Sequence, residues 1–325
     1  MRTHLCAALL ATHVASIALP PHDVDLQTLL TNPSTTSDDD GDDSPLPVIL
    51  WHGLGDASNA KGLSEVADLI NDVHPGTYVH IISANGQGDD RSASFFGDVN
   101  AQLDLVCTTL ATDPILSTAP AVDAIGFSQG GQFLRGYIER CNDPPVRNLI
   151  TFGSQHNGIT KFQKCKGATD FICQAANALL KGSTLWSNYV QTHLVPAQYY
   201  RNENDYENYL EYSNFLADIN NEKREKNATY KENLSKLENF VMLVFKDDVT
   251  VIPKESGWFA SVNETEDGRT LRKVENTTIY QEDWIGLKEL DQRGALTFGE
   301  LEGEHMELDN KDLKKLFKKY FGPEK

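Results

Sequence analysis

The run Gly126-Phe-Ser128-Gln-Gly130 overlaps the end of the apolar stretch Ala121 to Ser128 and precedes the helical pattern QFLRGYIERC. A serine hydroxyl is a weak nucleophile until a base removes its proton. G-x-S-x-G is the pattern that sets a serine on a sharp strand-to-helix turn. Side chains two residues before or after that serine would collide with neighbouring backbone, which explains the glycines. The same pattern also arises by chance in tight turns, so the strand before it and the helix after it favour a nucleophile. The base should come late in the chain, and a carboxylate should hold it in the right tautomer. His305, in EGEHMEL, follows the last apparent strand, whereas His156 and His193 lie within or just before a polar insertion. FVMLVFKDD offers both Asp247 and Asp248 as the acid, and the pattern does not choose between them. A developing oxyanion needs backbone N–H donors. Gln129 supplies one directly after the serine, and Leu54 supplies another from WHGLGD, where Gly53 and Gly55 let the backbone approach. His52 is expected to orient that loop rather than to move a proton. This chemistry calls for no metal and no cofactor.

These residues need a sheet beneath them. Val48 to Trp51 reads as a buried strand, Thr77 to Ala84 as a second, and Leu63, Val66, Ala67 and Ile70 as a helix between them. Phe95, Val99, Leu103, Val106 and Leu110 mark another helix, which carries Cys107. The strand ending at Ser128, an amphipathic helix and the strand Asn148 to Ser154 follow. Alternating buried strands and helices imply an α/β fold with a mainly parallel sheet covered on both faces. From Gln155 to about Glu238 the chain turns polar, aromatic and mostly helical in pattern, and the sheet resumes at Phe240 to Phe245. Residues 155–238 are therefore an insertion lobe. A last strand fits Ala295 to Gly303, and DLKKLFKKYFG closes the chain as an amphipathic helix with a solvated lysine face.

The chain has 325 residues and a formal charge of −18, from 29 basic and 47 acidic residues. Such a surface repels phosphate backbones, which argues against a nucleic-acid partner. Residues 1–18 read as a secretory signal: Arg2, an apolar run from Leu5, and small residues at Ser16 and Ala18. The run is too short, and too broken by Thr12 and His13, to span a membrane, so a soluble mature protein without a transmembrane segment is expected. Residues 19–45 form an acidic leader without periodicity, expected to be disordered, and the folded domain covers 46–325. After Cys6 leaves with the signal, Cys107, Cys141, Cys165 and Cys173 remain, an even number suited to an oxidising compartment. Of the three possible pairings, Cys165–Cys173 closes a short local loop and leaves Cys107–Cys141. Asn227, Asn233, Asn263 and Asn276 begin glycosylation sequons, some of which are expected to be empty.

Taken together, VILWHGLGD, GFSQGGQFLRGYIERC, LITFGSQHNGI, FLADINNE, WIGLKELDQRGALTF and EGEHMEL resemble the palmitoyl-protein thioesterase 1 family, from about Val48 to the C-terminal helix. The resemblance implies an α/β-hydrolase fold whose insertion lobe lines a fatty-acyl groove. It implies hydrolysis of long-chain acyl thioesters on cysteines of S-acylated proteins or peptides in a lysosomal or vacuolar lumen; secretion is the alternative location, and a monomer is expected. It selects Asp248 as the acid beside Ser128 and His305, with Leu54 and Gln129 as oxyanion amides. It repeats the pairings Cys107–Cys141 and Cys165–Cys173 and marks Asn227 as a glycosylation position. A lipase or carboxylesterase would use the same triad on oxyesters, and a non-catalytic lipid-binding module would not need all three members. Two departures stand out. The adjacent cysteines that animal members carry after WHGxGD are absent, the loop reading ASNAKG, and the acidic stretch Thr35 to Ser44 has no counterpart.

Overall fold

The computed structural model describes residues 24–25, 44–86, 89–162, 174, 182–265 and 268–324. The expected signal peptide, most of the leader, and Cys165 and Cys173 lie outside the described residues. The strands are β1 (Val24–Asp25), β2 (Val48–Trp51), β3 (Val79–Ile81), β4 (Val122–Phe127), β5 (Val146–Phe152), β6 (Asn239–Phe245), β7 (Ser261–Thr265), β8 (Gly268–Arg272) and β9 (Leu296–Leu301). The main sheet runs β1-β9-β6-β5-β4-β2-β3, with every neighbouring pair parallel. Within the leader, Val24 and Asp25 pair with Gly299 and Glu300 as its edge. The antiparallel hairpin β7–β8 has no counterpart in the sequence reading.

The helices are α1 (Lys61–Val73), α2 (Asp90–Phe95), α3 (Val99–Thr112), α4 (Gln129–Arg140), α5 (Asn188–His193), α6 (Tyr206–Tyr212), α7 (Leu216–Ile219), α8 (Ala228–Leu234), α9 (Thr278–Gln281), α10 (Leu287–Gln292) and α11 (Asn310–Tyr320). Side chains alternate across each strand, so the sheet feeds two cores. Val48 and Leu50 join Val241, Leu243 and Phe245 beneath α1 and α11. Ile49 and Trp51 join Phe240 and Met242 beneath α3, α4 and the insertion. Both faces are covered, as near-continuous apolar strands require. The α/β class with a mainly parallel sheet covered on both faces, expected from the sequence, is the class observed.

One expectation is corrected. The pattern after Ser128 reads as an amphipathic helix, yet α4 is buried on every side from Gln129 to Glu139. The lobe covers the face that would otherwise be wet. Arg135 is fully buried and donates to Glu139 Oε1 (2.9 Å), the Ile219 and His156 carbonyls (3.0 Å each) and Asn220 Oδ1 (2.8 Å). A buried guanidinium must find such partners, and three of these four lie outside α4. Arg140 adds bonds to Asn100 Oδ1 and Asp218 Oδ2, both 2.6 Å. The disulfide Cys107–Cys141 ties α3 to the end of α4.

Burial pushes the Glu139 carboxyl up to about 7, against the pull of Arg135 and Arg140 and with the help of Asp218. A carboxyl raised above its ordinary value of 4.5 on folding contributes stability that is fully present below 4.5 and lost as pH rises through 7. Thermal unfolding of Glu139→Gln beside wild type checks this: the wild-type midpoint gains on the variant as pH falls from 7 toward 4.5. A difference that stays constant across that window would contradict it.

Candidate active site

Ser128 stands between β4 and α4 with φ 50° and ψ −121°. A non-glycine residue in such a conformation costs on the order of 1–3 kcal/mol and is held only by its surroundings. The turn closes because its flanking glycines lack side chains. A Cβ on Gly126 would sit 2.1 Å from the Gly131 Cα, and one on Gly130 would sit 2.3 Å from the Trp51 carbonyl oxygen. The Ser128 amide donates to the Phe152 carbonyl at 2.7 Å, which fastens the elbow to β5.

The sheet order places the partners. The chain runs from β2 outward to β3, then returns to the other side of β2 as β4. Loops leaving β2 and β4 therefore part at their carboxyl ends, where α/β sheets open a crevice. Ser128 and Gly53 face each other there: a Cβ on Gly53 would lie 3.1 Å from Ser128 Cβ. Asp248 follows β6 and His305 follows β9, the adjacent strand.

His305 Nε2 lies 3.1 Å from Ser128 Oγ, and His305 Nδ1 lies 2.7 Å from Asp248 Oδ2. A carboxylate can only accept, so Nδ1 carries the proton and Nε2 is left bare to receive one from the hydroxyl. The geometry separates the two aspartates. Asp248 has a side chain 1% exposed, and its Oδ1 accepts from the Thr250 and Val251 amides at 2.8 and 3.0 Å. That turn fixes the carboxylate and leaves Oδ2 for the imidazole. Asp247 is exposed, and its amide donates to the Gly303 carbonyl. Sequence reasoning missed Gly153. Its φ is 55°, and a Cβ there would lie 2.9 Å from His305 Cε1, so only glycine admits the ring. The FGS run at the end of β5 was the available signal.

Gln129 is the first residue of α4, where an amide has no acceptor within the helix. Leu54 lines the same cavity as Ser128. His52 Nδ1 lies 3.0 Å from the Gly53 carbonyl, which also accepts from the Asp56 amide at 3.3 Å. A carbonyl only accepts, so Nδ1 is the protonated nitrogen. Gly53 C=O and Leu54 N–H share one trans peptide and point in opposite directions, so holding the carbonyl aims the amide. His52 thus orients the loop, as the sequence suggests.

The cavity over Ser128 measures about 500 Å³. Val66, Phe95, Phe127 and Met306 contribute apolar walls from outside the insertion, and Ile159 and Tyr199 contribute them from within it. His156 is buried away from Ser128: it stacks on Phe259 and bonds to Thr151 Oγ1 at 3.1 Å. His193 lies on α5 against Tyr189. Asn227 and Asn276 are exposed, whereas Asn233 and Asn263 are half-buried and the Asn233 amide donates to the Glu139 carbonyl.

The family model described as palmitoyl protein thioesterase matches residues 47–305. Palmitoyl-protein thioesterase 1 of Caenorhabditis elegans is 37% identical over 280 residues, covering 85% of this chain and 92% of that protein. Palmitoyl-protein thioesterase 3 of Dictyostelium discoideum is 34% identical over 253 residues, 78% of this chain and 82% of that protein. Lysosomal thioesterase PPT2 of Homo sapiens is 28% identical over 255 residues, 77% and 78% of the two chains. With the elbow, the sheet order and the matched span in agreement, the chain belongs to the palmitoyl protein thioesterase family.

Proposed function

We propose that this protein hydrolyses long-chain fatty acyl thioesters on cysteines of S-acylated proteins or peptides, with Ser128, His305 and Asp248 as its catalytic triad. The unbroken chain of contacts from Asp248 Oδ2 through His305 to Ser128 Oγ carries the reading of the residues, and family membership carries the substrate class. His305 Nε2 takes the hydroxyl proton as Ser128 Oγ attacks the thioester carbonyl carbon. The carbonyl π pair moves to oxygen, where the Leu54 and Gln129 amides stabilise the charge. Collapse breaks the C–S bond, and His305 returns its proton to the departing thiolate. A water molecule deprotonated by His305 then attacks the acyl-serine and releases the fatty acid, restoring the Ser128 hydroxyl. Asp248 holds the imidazole and stabilises its cationic form without taking a proton itself. The cavity walls from residues 155–238 and the core hold the acyl chain, which apolar lining favours.

Among the described residues no helix is long and apolar enough to cross a membrane. A relative is named as lysosomal, and we place this protein's work in the same lumen, reached through the secretory pathway. Glycans are assigned to Asn227 and Asn276, the two exposed sequon asparagines.

Purified Ser128→Ala should lose on the order of 10⁴-fold or more in kcat on a palmitoyl thioester, leaving only binding and oxyanion effects. Wild-type turnover in that variant would sink the mechanism. Matched palmitoyl thioester and oxyester substrates separate this reading from a lipase: the thioester should be hydrolysed faster, and a strong oxyester preference would contradict the assignment. Because His305 must be neutral to accept the serine proton, kcat/KM should fall on the acid side with the slope of a single ionisation. A rate independent of pH through that range would remove His305 as the base.

A further inference from the structure

The short helix α2 reaches both backbone segments that carry the oxyanion amides. Ser94 Oγ accepts from the Gly55 amide at 2.8 Å and donates to the Arg91 carbonyl at 2.7 Å. The Ser94 carbonyl accepts from the side-chain amide of Gln129 at 3.2 Å. One turn earlier, Asp90 Oδ2 accepts from the Ser58 amide at 3.1 Å and from the Ser58 hydroxyl, while Oδ1 accepts from Ser83 Oγ at 2.8 Å. Ser94 and Asp90 are 1% and 4% exposed. Through its buried Asp90 and Ser94, one short helix therefore grips the loop after β2 at Gly55 and at Ser58, and grips the residue after the nucleophile as well.

The consequence for Leu54 follows from peptide geometry. His52 and Asp56 hold the peptide before the Leu54 Cα by its carbonyl, and Ser94 holds the peptide after it by its amide. With both planes fixed, the direction of the Leu54 N–H is fixed. Tyr199 donates to the Gln129 Oε1 at 3.1 Å, so the Gln129 side chain is held from the lobe as well.

We propose that Ser94 is a positioning residue of the thioester hydrolysis, clamping the Leu54 and Gln129 donors at one separation before charge develops, with Asp90 anchoring the same loop. The inference rests on the assignment of Ser128 and the two amides made above. Preorganised donors need no rearrangement at the moment of reaction, and loosening them is felt in the transition state and not in the bound ground state.

The test uses Ser94→Ala, with Gln129→Met as a second variant that breaks the clamp from the other side while keeping the Gln129 backbone amide. Each is measured for kcat, KM, product inhibition by palmitate, and inhibition by a palmityl trifluoromethyl ketone, which forms a tetrahedral oxyanion on the serine. The clamp predicts that kcat falls about 10- to 100-fold while KM and palmitate inhibition stay within about twofold, a transition-state signature. The ketone should weaken by the same factor as kcat. Full kcat in folded Ser94→Ala would overturn the clamp, as would a loss of kcat with ketone affinity unchanged. Ser128→Ala run in parallel separates the two levels. If it is inactive while Ser94→Ala is fully active, only the clamp fails; if Ser128→Ala remains active, the assignment beneath it fails too.

Discussion

Everything at this site hangs on a backbone that could not be held in isolation. Ser128 occupies a conformation that L-residues avoid, and it stays there because Gly126 and Gly130 let α4 press against β4 and the end of β2. The stabilisation comes from below. All six residues of β4 and all seven of β5 are buried, so their apolar contacts and ladder bonds greatly outweigh one strained residue. The strained turn sets Ser128 opposite the loop that carries Gly53, with the first amide of α4 beside it.

The same helix carries a second burden. α4 begins directly after Ser128 and ends where Arg135, Glu139 and Arg140 meet the insertion. Fixing the lobe and fixing the elbow are thereby one structural problem, because a shift of α4 along its axis would break both. Tyr199 closes the circuit by bonding back to Gln129. The acyl-binding wall assigned to the lobe is thus held in register with the reacting atoms through buried polar bonds. Unlike apolar contacts, such bonds fix a direction as well as a distance.

The elbow, its strand and helix, the parallel sheet and His305 were legible because each is written in consecutive residues or in a local period. Asp248 was not separable from Asp247 on the same grounds. What distinguishes them is which carboxylate the turn after β6 captures with the Thr250 and Val251 amides, a three-dimensional fact without a sequence period. The burial of Arg135 and Glu139 misled the reading for a related reason. Their helical spacing looks like a solvated stripe until lobe residues such as Ile219 and Asn220, 84 and 85 residues downstream of Arg135, cover it. Ser94 was invisible: a six-residue helix gives little periodicity, and its partners Gly55 and Gln129 lie 39 and 35 residues away. The hairpin β7–β8 escaped because β8 is exposed throughout and lacks an apolar face.

Ser128, acting as the proposed nucleophile, must form a covalent bond to the acyl group, and that bond can be observed directly. Wild-type protein is mixed with a palmitoyl thioester, quenched in acid within the first turnover, digested, and read by mass spectrometry. One palmitoyl group is expected, ester-linked to Ser128 within GFSQGGQFLR and absent from Ser128→Ala. Steady turnover with no acyl group ever found on Ser128, or with one found on a different residue, would contradict it.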